Sequence, residues 1–249
     1  MTGKAAEHLS YFEGQIASDA EFWRRFGRRP DFDGARVLDI GSGHGALSIE
    51  MARAGSDVLG IDLNRELVDF ARENLQERHA DVVDRVGFQL VDIADLTPDM
   101  QFDIAVSKDT FEHVEDMGAM LRNIHRLLKP GGTLWAGFSP LYYSPNGDHR
   151  RTGLPAPAHA LLPRRLVLRA AARHNGRRVA RLADIGLNGM TPAAFRHHFF
   201  GSGFEIVSLE YNRGDKALLE RLEPLRRLPP FEKYLTVSVY AVMRRPAAG

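Results

Sequence analysis

The 249-residue sequence contains no cysteine, and this absence excludes several kinds of site at once. A disulfide scaffold, a thiolate nucleophile, a cysteine-ligated zinc ion and an iron–sulfur cluster all require cysteine. The chain also lacks any apolar run near the roughly 18 residues that a membrane helix needs. Its N-terminal stretch, MTGKAAEHLSYFEGQ, lacks the apolar core of a signal peptide. We therefore expect a soluble, cytoplasmic protein that uses oxygen or nitrogen groups for any catalysis.

A large excess of one charge is also missing, because 33 Lys plus Arg stand against 32 Asp plus Glu. With 44% hydrophobic and 26% charged residues, the composition is that of a globular protein, which excludes disorder, collagen-like structure and a coiled coil. The length suits one large α/β domain or two small ones. The charge is uneven, however. Residues 145–182 carry nine arginines and one acid, Asp148, a net charge of +8 that leaves −7 for the rest.

Apolar runs of strand length alternate with helical patterns along most of the chain. The predicted strands lie at residues 35–40, 57–61, 86–91, 102–106, 133–138, 204–211 and 235–242, and the helical patterns at 7–27, 47–54, 64–75, 117–128 and 191–200. This alternation predicts an α/β fold, doubly wound, with a seven-stranded, mostly parallel sheet. The predicted divisions are an N-terminal helical segment (1–34), a cofactor-binding core (35–138), an inserted helical cap (139–190) and the rest of the sheet (191–249).

The strongest local signal is a glycine loop, residues 39–45, which follows the first predicted strand and opens a helix. Glycines allow a sharp turn and let a ligand approach the backbone amides closely. The loop reads D-x-G-x-G-x-G, whereas a dinucleotide fingerprint reads G-x-G-x-x-G. The carboxylate of Asp39 suits a cationic ammonium or sulfonium group better than a pyrophosphate.

Two further acids follow the next two predicted strands. Asp62 ends the second strand, where its carboxylate can accept hydrogen bonds from both hydroxyls of a ribose. Asp92 ends the third strand, where an adenine amino group can donate to it. Doubly wound sheets bind their ligands at the carboxyl ends of the strands. The three acids therefore predict one nucleoside site along that edge.

The glycine loop is one of five segments that together resemble class I S-adenosylmethionine-dependent methyltransferases of the small-molecule type. In chain order these segments read VLDIGSGHG, VLGIDLN, VDIADL, FDIAVSKDTFEHVED and LLKPGGTLW. The resemblance is strong over residues 35–138 and weak over the C-terminal strands. It implies the Rossmann-like methyltransferase fold and S-adenosyl-L-methionine as the cofactor.

The resemblance also assigns cofactor contacts by position. It implies that the loop glycines flank the methionine part of the cofactor, that Asp62 binds the ribose, and that Asp92 with Ile93 faces the adenine. Tyr11 lies in a helix that often covers the cofactor in this family, and packing in the core is the alternative. The full predicted set is Tyr11, Asp39, Gly41, Ser42, Gly43, Gly45, Asp62, Leu63, Asp92, Ile93 and Ser107.

The methyl transfer that the resemblance implies is an in-line displacement, so the protein mainly positions two reactants and excludes water. A hydroxyl acceptor also needs a base that removes its proton. The candidate catalytic residues are Asp109 and His113, after the fourth strand, and His149, in a turn-rich loop after the fifth. Asp148 could orient His149. The alternative for His113 is a hydrogen bond to backbone beneath the site.

No metal site is predicted, although the chain contains the pair His197-His198. Adjacent side chains on a helix diverge by about 100°, so this pair cannot chelate one ion. His44, inside the glycine loop, is interpreted as a surface or cofactor-covering residue rather than a base.

The segment 139–190 is predicted to cap the acceptor pocket. It contains an amphipathic stretch whose two faces consist of Leu162, Leu166 and Ala170, and of Arg165, Arg169 and Arg173. The arginine face is either a solvated surface or an attractor for an anionic or lipid-like acceptor, with peripheral contact to a membrane as one form. Nucleic acid is disfavoured because the rest of the chain is acidic and the stretch lacks stacking aromatics.

The leading functional hypothesis is methyl transfer to a hydroxyl of a small molecule, namely a sugar, lipid or secondary metabolite. The alternatives are an N- or carboxyl-methyltransferase, an enzyme acting on a macromolecule, or a fold that binds the cofactor for another purpose. Residues 107–110 read SKDT rather than the D/N-P-P-Y/F of adenine-N6 enzymes, which disfavours base methylation. The glycine spacing disfavours an NAD-dependent dehydrogenase. We expect a monomer or a homodimer.

Overall fold

One seven-stranded sheet runs through the computed structural model, which describes residues 3–213 and 217–247. The strands are β1 (Arg36–Ile40), β2 (Asp57–Asp62), β3 (Val86–Leu90), β4 (Phe102–Lys108), β5 (Leu128–Phe138), β6 (Glu205–Tyr211) and β7 (Val239–Arg244). Their order in the sheet is β3-β2-β1-β4-β5-β7-β6. The pairings among β1 to β5 are parallel, and β7 runs antiparallel to both of its neighbours. The predicted doubly wound, mostly parallel sheet is confirmed.

Helices cover both faces of the sheet. They are α1 (Gly3–Phe26), α2 (Ala46–Arg53), α3 (Arg65–Arg78), α4 (Met117–Leu127), α5 (Ala158–Leu161), α6 (Arg164–Asn175), α7 (Pro192–Phe200), α8 (Ala217–Arg221), α9 (Glu223–Arg226) and α10 (Glu232–Leu235). Helices α1, α2 and α3 supply one hydrophobic core, and α4 and α7 supply the other. Successive residues of a strand point to opposite faces, so Val37 packs in the first core and Leu38 in the second. No helix in the described ranges is long and apolar enough to cross a membrane.

Local capping explains where the chain turns at the carboxyl edge of the sheet. The Asn64 side chain accepts a hydrogen bond from the Glu66 N–H and starts α3. Asp92 accepts from the Ala94 N–H and starts a 3₁₀ turn after β3. Asp116 accepts from the Ala119 N–H and starts α4. These caps return the chain to the sheet and leave the strand ends lining one edge.

The segment 139–190 contains helices and turns but no strand. Its own small core consists of Tyr142, Ala171, Val179, Leu182, Ile185 and Leu187. The prediction that Leu162, Leu166 and Ala170 form the apolar face of this segment is wrong as a description of its packing. Helix α6 buries Val167 and Ala171 instead, and Leu162 and Leu166 are exposed. The packing surface lies one position further along the helix.

The last strand also differs from its prediction at residues 235–242. Residues 232–235 form α10, and β7 begins only at Val239. The Asn212 side chain accounts for this shift, because it accepts from the N–H groups of Val237 and Ser238 and donates to the Leu235 carbonyl. A side chain therefore satisfies backbone groups that a neighbouring strand would otherwise bind.

Candidate active site

A cavity of about 810 Å³ opens at the carboxyl edge of the sheet, between the glycine loop and α1. Twelve of the predicted site residues line it: Tyr11, Asp39, Gly41, Ser42, Gly43, Gly45, Asp62, Leu63, Asp92, Ile93, Asp109 and His113. Ser107 is buried below the floor, where its hydroxyl donates to the Ile40 carbonyl, and it does not line the cavity. His149 lies behind the wall, with its ring centre 5.0 Å from that of His113. The edge predicted from the strand ends is thus a single concave site.

The glycine loop forms one wall of this cavity. At Gly41 the backbone has φ +75° and a Cβ would overlap the Thr110 side chain, so only glycine fits. Gly43 has φ +53°, and no atom lies within 4 Å of where its Cβ would be. The first glycine therefore serves the close approach of two chain segments, and the second leaves the backbone open toward a ligand.

Asp39 lies at the end of β1 and is buried. Burial raises the pKa of this carboxyl from 3.8 to about 7, although Ser48 donates a hydrogen bond to it at 2.6 Å. The acids Asp19 and Asp62 raise the pKa further, and the ammonium of Lys108 lowers it. Burial is the main cause and the neighbouring acids add to it, so a cation bound beside Asp39 would favour its charged form.

Asp62 holds the glycine loop in place as well as facing the cavity. The Gly43 N–H donates to its Oδ2 at 3.0 Å, and the Asn64 N–H donates to its Oδ1 at 2.8 Å. A carboxylate oxygen has two lone pairs, so each oxygen retains one acceptor position. Two acceptor positions would suit the two hydroxyls of a ribose, and the contact itself stays a prediction. Leu63, next in the chain, is 71% exposed and gives the same wall an apolar surface.

The donor set and the unsatisfied atoms of the cavity fit S-adenosylmethionine. Ser42 Oγ and Asp19 Oδ2 are buried on the cavity wall and have no hydrogen-bond partner among the described residues. Both can accept hydrogen bonds from a ligand, and the acids beside them suit a cation. The volume is within the range of about 300 to 1,000 Å³ for small-molecule sites. The residues present can therefore hold the cofactor that the sequence implies.

Helix α1 covers one side of the cavity. Tyr11 is 57% exposed and stacks on His44 with ring centres 4.6 Å apart, so it is not a core residue. His8 bonds to His44 at 2.9 Å and to Glu66 at 2.7 Å. His44 thus connects the helix to the glycine loop, which agrees with the interpretation of a covering residue.

A buried ion pair between Lys108 and Asp19, at 2.6 Å, also joins α1 to the end of β4. Lys108 Nζ donates in addition to Ser18 and, at 3.1 Å, to Gln15. Lys108, Asp19 and Gln15 all line the cavity, yet the sequence analysis did not select them. The sequence signal that could have indicated this contact is Lys108 at the end of the apolar strand β4, because a buried charge requires a partner.

The loop after β4 carries the candidate catalytic side chains. His113 donates from Nδ1 to the Gly186 carbonyl at 2.7 Å, so the predicted alternative of a backbone bond is present. Burial lowers its pKa to about 4 and keeps the ring neutral. His149 bonds through Nε2 to the Pro140 carbonyl at 3.2 Å, and burial lowers its pKa too. Asp148 does not orient His149; it accepts instead from the Thr152 hydroxyl and backbone.

Two acids and one arginine surround these histidines. Asp109 opens into the cavity, and the dense protein around it raises its pKa. Glu112 is 3% exposed, and burial, with a contribution from Asp109, holds its pKa well above the usual value. Arg151, from the inserted segment, lines the same cavity and donates to the carbonyls of Ile185 and Gly186. Sequence reasoning selected neither Glu112 nor Arg151.

The remaining histidine pair lies apart from the cavity. His197 is exposed and His198 is half-buried, both on α7, and their ring centres are 5.9 Å apart.

Comparison with known proteins identifies the part of the chain that carries the glycine loop. The family described as "Methyltransferase domain" matches residues 31–138. Residues 31–138 form a methyltransferase domain. Within this methyltransferase domain lie all the predicted cofactor contacts except Tyr11.

Two curated relatives of this domain share the name ubiquinone biosynthesis O-methyltransferase. The protein from Coxiella burnetii is 38% identical over 103 residues, which are 41% of this chain and 42% of that protein. The protein from Xanthomonas oryzae pv. oryzae is 42% identical over 109 residues, 43% of this chain and 44% of that protein. The chain therefore matches less than half the length of these relatives.

Solved structures resemble the fold over nearly the whole chain. The [4+2]-cyclase SpnF has a TM-score of 0.62 at 21% identity, over 93% of this chain and 82% of that one. Magnesium protoporphyrin IX methyltransferase from Synechocystis PCC 6803, with bound S-adenosylmethionine, has a TM-score of 0.54 at 18% identity, over 98% and 85%. At these identities the likeness shows a shared fold and no more.

Proposed function

We propose that this protein transfers a methyl group from S-adenosylmethionine to a hydroxyl oxygen of a small molecule. The observation that carries the proposal is the gathering of Asp39, Asp62 and Asp92 with His113 around one cavity in a methyltransferase domain. The names of the two curated relatives support a hydroxyl acceptor, since both are O-methyltransferases.

Each part of the cofactor has residues in the cavity that suit it. Asp62 accepts from the ribose hydroxyls, Asp92 and Ile93 take the adenine, and the backbone at Gly43 approaches the methionine part. Asp39 and Asp19 supply negative charge for the ammonium and sulfonium groups. When bound, the cofactor supplies a methyl group already activated by its positive sulfur.

The chain's own residues then position the acceptor, exclude water and take its proton. Helix α1 covers the cofactor side of the cavity through Tyr11 and the Lys108–Asp19 pair. Neutral His113 and His149 each keep one ring nitrogen free of the backbone bond that the other nitrogen makes. The free lone pair of His113, which lines the cavity, can accept the proton of the acceptor's hydroxyl or bind a group that lowers the pKa of that hydroxyl.

The acceptor pocket is assigned to the side of the cavity that the inserted segment closes. The match to the methyltransferase domain ends at residue 138, before His149 and Arg151. Arg151 lines the cavity with a positive charge, which suits an acceptor that bears a carboxylate or phosphate. On α6, Arg165, Arg169 and Arg173, here called the basic face, are all exposed, next to the exposed apolar side chains of Leu162 and Leu166.

The basic face therefore suits an anionic or lipid-like acceptor presented at a membrane surface. A purely solvated surface is the other interpretation of the same arginines. A cytoplasmic location and a monomer or homodimer complete the proposal.

A second candidate function is cofactor-dependent chemistry other than methyl transfer, because the cyclase SpnF shares this fold. Native mass spectrometry of the purified protein tests the cofactor first. We expect co-bound S-adenosylhomocysteine or added S-adenosylmethionine at one per chain. Binding of a dinucleotide in its place would refute both candidates, and binding without transfer to any acceptor would favour the second.

A further inference from the structure

Three side chains that the sequence analysis did not group lie together at and behind the cavity wall. Glu112, His113 and His149 each offer one ligand atom, and these atoms lie within 4.8 Å of one another. Glu112 and His113 are adjacent in the turn after β4, and His149 comes from the inserted segment 36 residues later. We call these three residues the carboxylate–histidine cluster.

Both histidines of the cluster are oriented in the way that metal ligands usually are. A metal-binding imidazole almost always donates its second nitrogen to a carboxylate, backbone carbonyl or water, which fixes the ring and the tautomer. Here His113 donates from Nδ1 to the Gly186 carbonyl at 2.7 Å. His149 bonds through Nε2 to the Pro140 carbonyl at 3.2 Å. These bonds leave Nε2 of His113 and Nδ1 of His149 as lone-pair donors.

Within the part of the chain that the structure describes, the carboxylate of the cluster lacks a well-formed hydrogen bond. Both oxygens of Glu112 are buried and make no hydrogen bond to any residue in 3–213 or 217–247. The Ser139 N–H donates to Asp109 at 3.1 Å, and this N–H and that of Glu112 itself lie near enough to the Glu112 carboxylate to lower its pKa without making a well-formed hydrogen bond to it. Arg151, whose charge is close enough to act on Glu112, places its donors on the Ile185 and Gly186 carbonyls. A buried carboxyl without a donor is costly, and a bound cation removes that cost.

We propose that Glu112, His113 and His149 bind a divalent first-row transition metal ion, with Zn²⁺ as the ion that best suits two imidazoles and a carboxylate. Three protein ligands leave one tetrahedral position open, which is the arrangement of catalytic rather than structural zinc sites. His113 lines the cavity, so a ligand that reaches the cluster would enter from the cavity side. Asp109, on the same wall, adds negative charge that further favours a cation.

A consequence for the acceptor follows, and this part rests on the proposed function. A cation bound there would hold the acceptor's hydroxyl oxygen and lower the pKa of that hydroxyl, and Asp109, on the same cavity wall, would take its proton. The oxygen then forms the bond to the methyl carbon, while the carbon–sulfur bond of the cofactor breaks and its electron pair stays on sulfur. The acceptor class is thus one that presents an oxygen ligand, such as a phenol or catechol.

Zinc binding is tested without cofactor or acceptor, so its result does not depend on methyl transfer. The purified full chain is freed of metal with a chelator and titrated with Zn²⁺ in a calorimeter. We expect one equivalent bound with a Kd on the order of 1 μM or lower. Glu112→Gln and His149→Gln should each weaken binding by about 10-fold or more. His197→Gln and His198→Gln on α7 are the matched controls and should leave the Kd unchanged.

A second measurement keeps the inference falsifiable if the cluster variants misfold. Wild-type protein titrated with Co²⁺ should develop the visible absorption of a four- or five-coordinate site, and one equivalent of Zn²⁺ should abolish it. Mg²⁺, a hard ion that imidazole binds poorly, should not compete. Absence of stoichiometric Zn²⁺ binding, or a Kd that the cluster variants leave unchanged, would overturn the site.

The acceptor consequence has its own test. If methyl transfer by metal-free protein equals that of zinc-loaded protein, the metal has no role at the acceptor, whatever its affinity. If zinc binds as expected but no acceptor is methylated, the metal site is supported and the proposed function fails.

Discussion

Replacement of Asp62 by alanine tests the cofactor site where its geometry is most explicit. The carboxylate accepts the Gly43 N–H at 3.0 Å and the Asn64 N–H at 2.8 Å, and retains two acceptor positions for the ribose. Hydrogen bonds to a charged group contribute about 1.5 to 3 kcal/mol each. Because the Asp62 side chain is half-exposed, we expect its loss to weaken cofactor binding by about 2 to 3 kcal/mol, which is a rise in Kd of about 30- to 150-fold.

The assay is calorimetric titration with S-adenosylhomocysteine, beside a urea unfolding curve for each variant. Asp57→Ala is the matched control, because Asp57 starts the same strand at the opposite edge of the sheet and is exposed. The control should bind as the wild type does. Unchanged affinity in a folded Asp62→Ala protein would refute the assignment of the ribose to this edge.

Three further predictions concern catalysis, pH and charge. His113→Gln and His149→Gln should each lower kcat by about 100-fold or more while the Kd for S-adenosylhomocysteine stays fixed; near-full turnover in both would leave proximity as the mechanism. The pKa of Asp39 is raised from 3.8 to about 7 in the folded protein, so the folded state holds a proton that the unfolded chain has lost, and stability falls as pH rises through that window. The free energy of unfolding of Asp39→Asn, measured by urea unfolding, should therefore rise relative to that of wild type by up to about 3 kcal/mol between about pH 5 and about pH 8. A difference between the two proteins that stays constant with pH would contradict the raised pKa. Replacement of the three arginines of the basic face by glutamate should raise the KM for the acceptor and make it less sensitive to salt, with cofactor affinity unchanged. Unaltered acceptor kinetics would mean that the basic face is only a solvated surface.

The carboxyl edge of the sheet could be predicted because its signals are local. Apolar runs end at Asp39, Asp62 and Asp92, and parallel strands bring such ends to one edge whatever the rest of the chain does. Strand-end residues therefore reached the same cavity in the structure. Ser107 is the exception, because alternation along β4 turns its side chain to the Ile40 carbonyl.

The residues that sequence reasoning missed depend on contacts between distant segments. Asp19 is paired with Lys108 across 89 positions, and nothing near Asp19 in the sequence indicates a buried partner. The carboxylate–histidine cluster likewise needs the inserted segment to return His149 to the turn that carries Glu112. The sequence predicts His113 and His149 as candidate bases, but their spacing along the chain does not indicate that the two rings lie side by side.

Local patterns also misplaced the start of one strand and the buried face of one helix. The alternation at residues 235–242 is typical of a strand, yet the Asn212 side chain binds the backbone before Val239 and delays β7. Leu162, just before α6, and Leu166, on α6, are exposed, because the helix buries the face of Val167 and Ala171 instead. Tertiary contacts decided both cases.

Transfer of a labelled methyl group tests the central claim most directly. The zinc-loaded and metal-free proteins are incubated with S-adenosylmethionine carrying a ¹³C methyl group and a panel of catechols, sugars, carboxylic acids and amines. We expect the label in a methyl ether, with one S-adenosylhomocysteine formed per labelled product. Label found only in an ester or an N-methyl product, or a bound cofactor with no transfer to any member of the panel, would contradict methyl transfer to a hydroxyl oxygen by this protein.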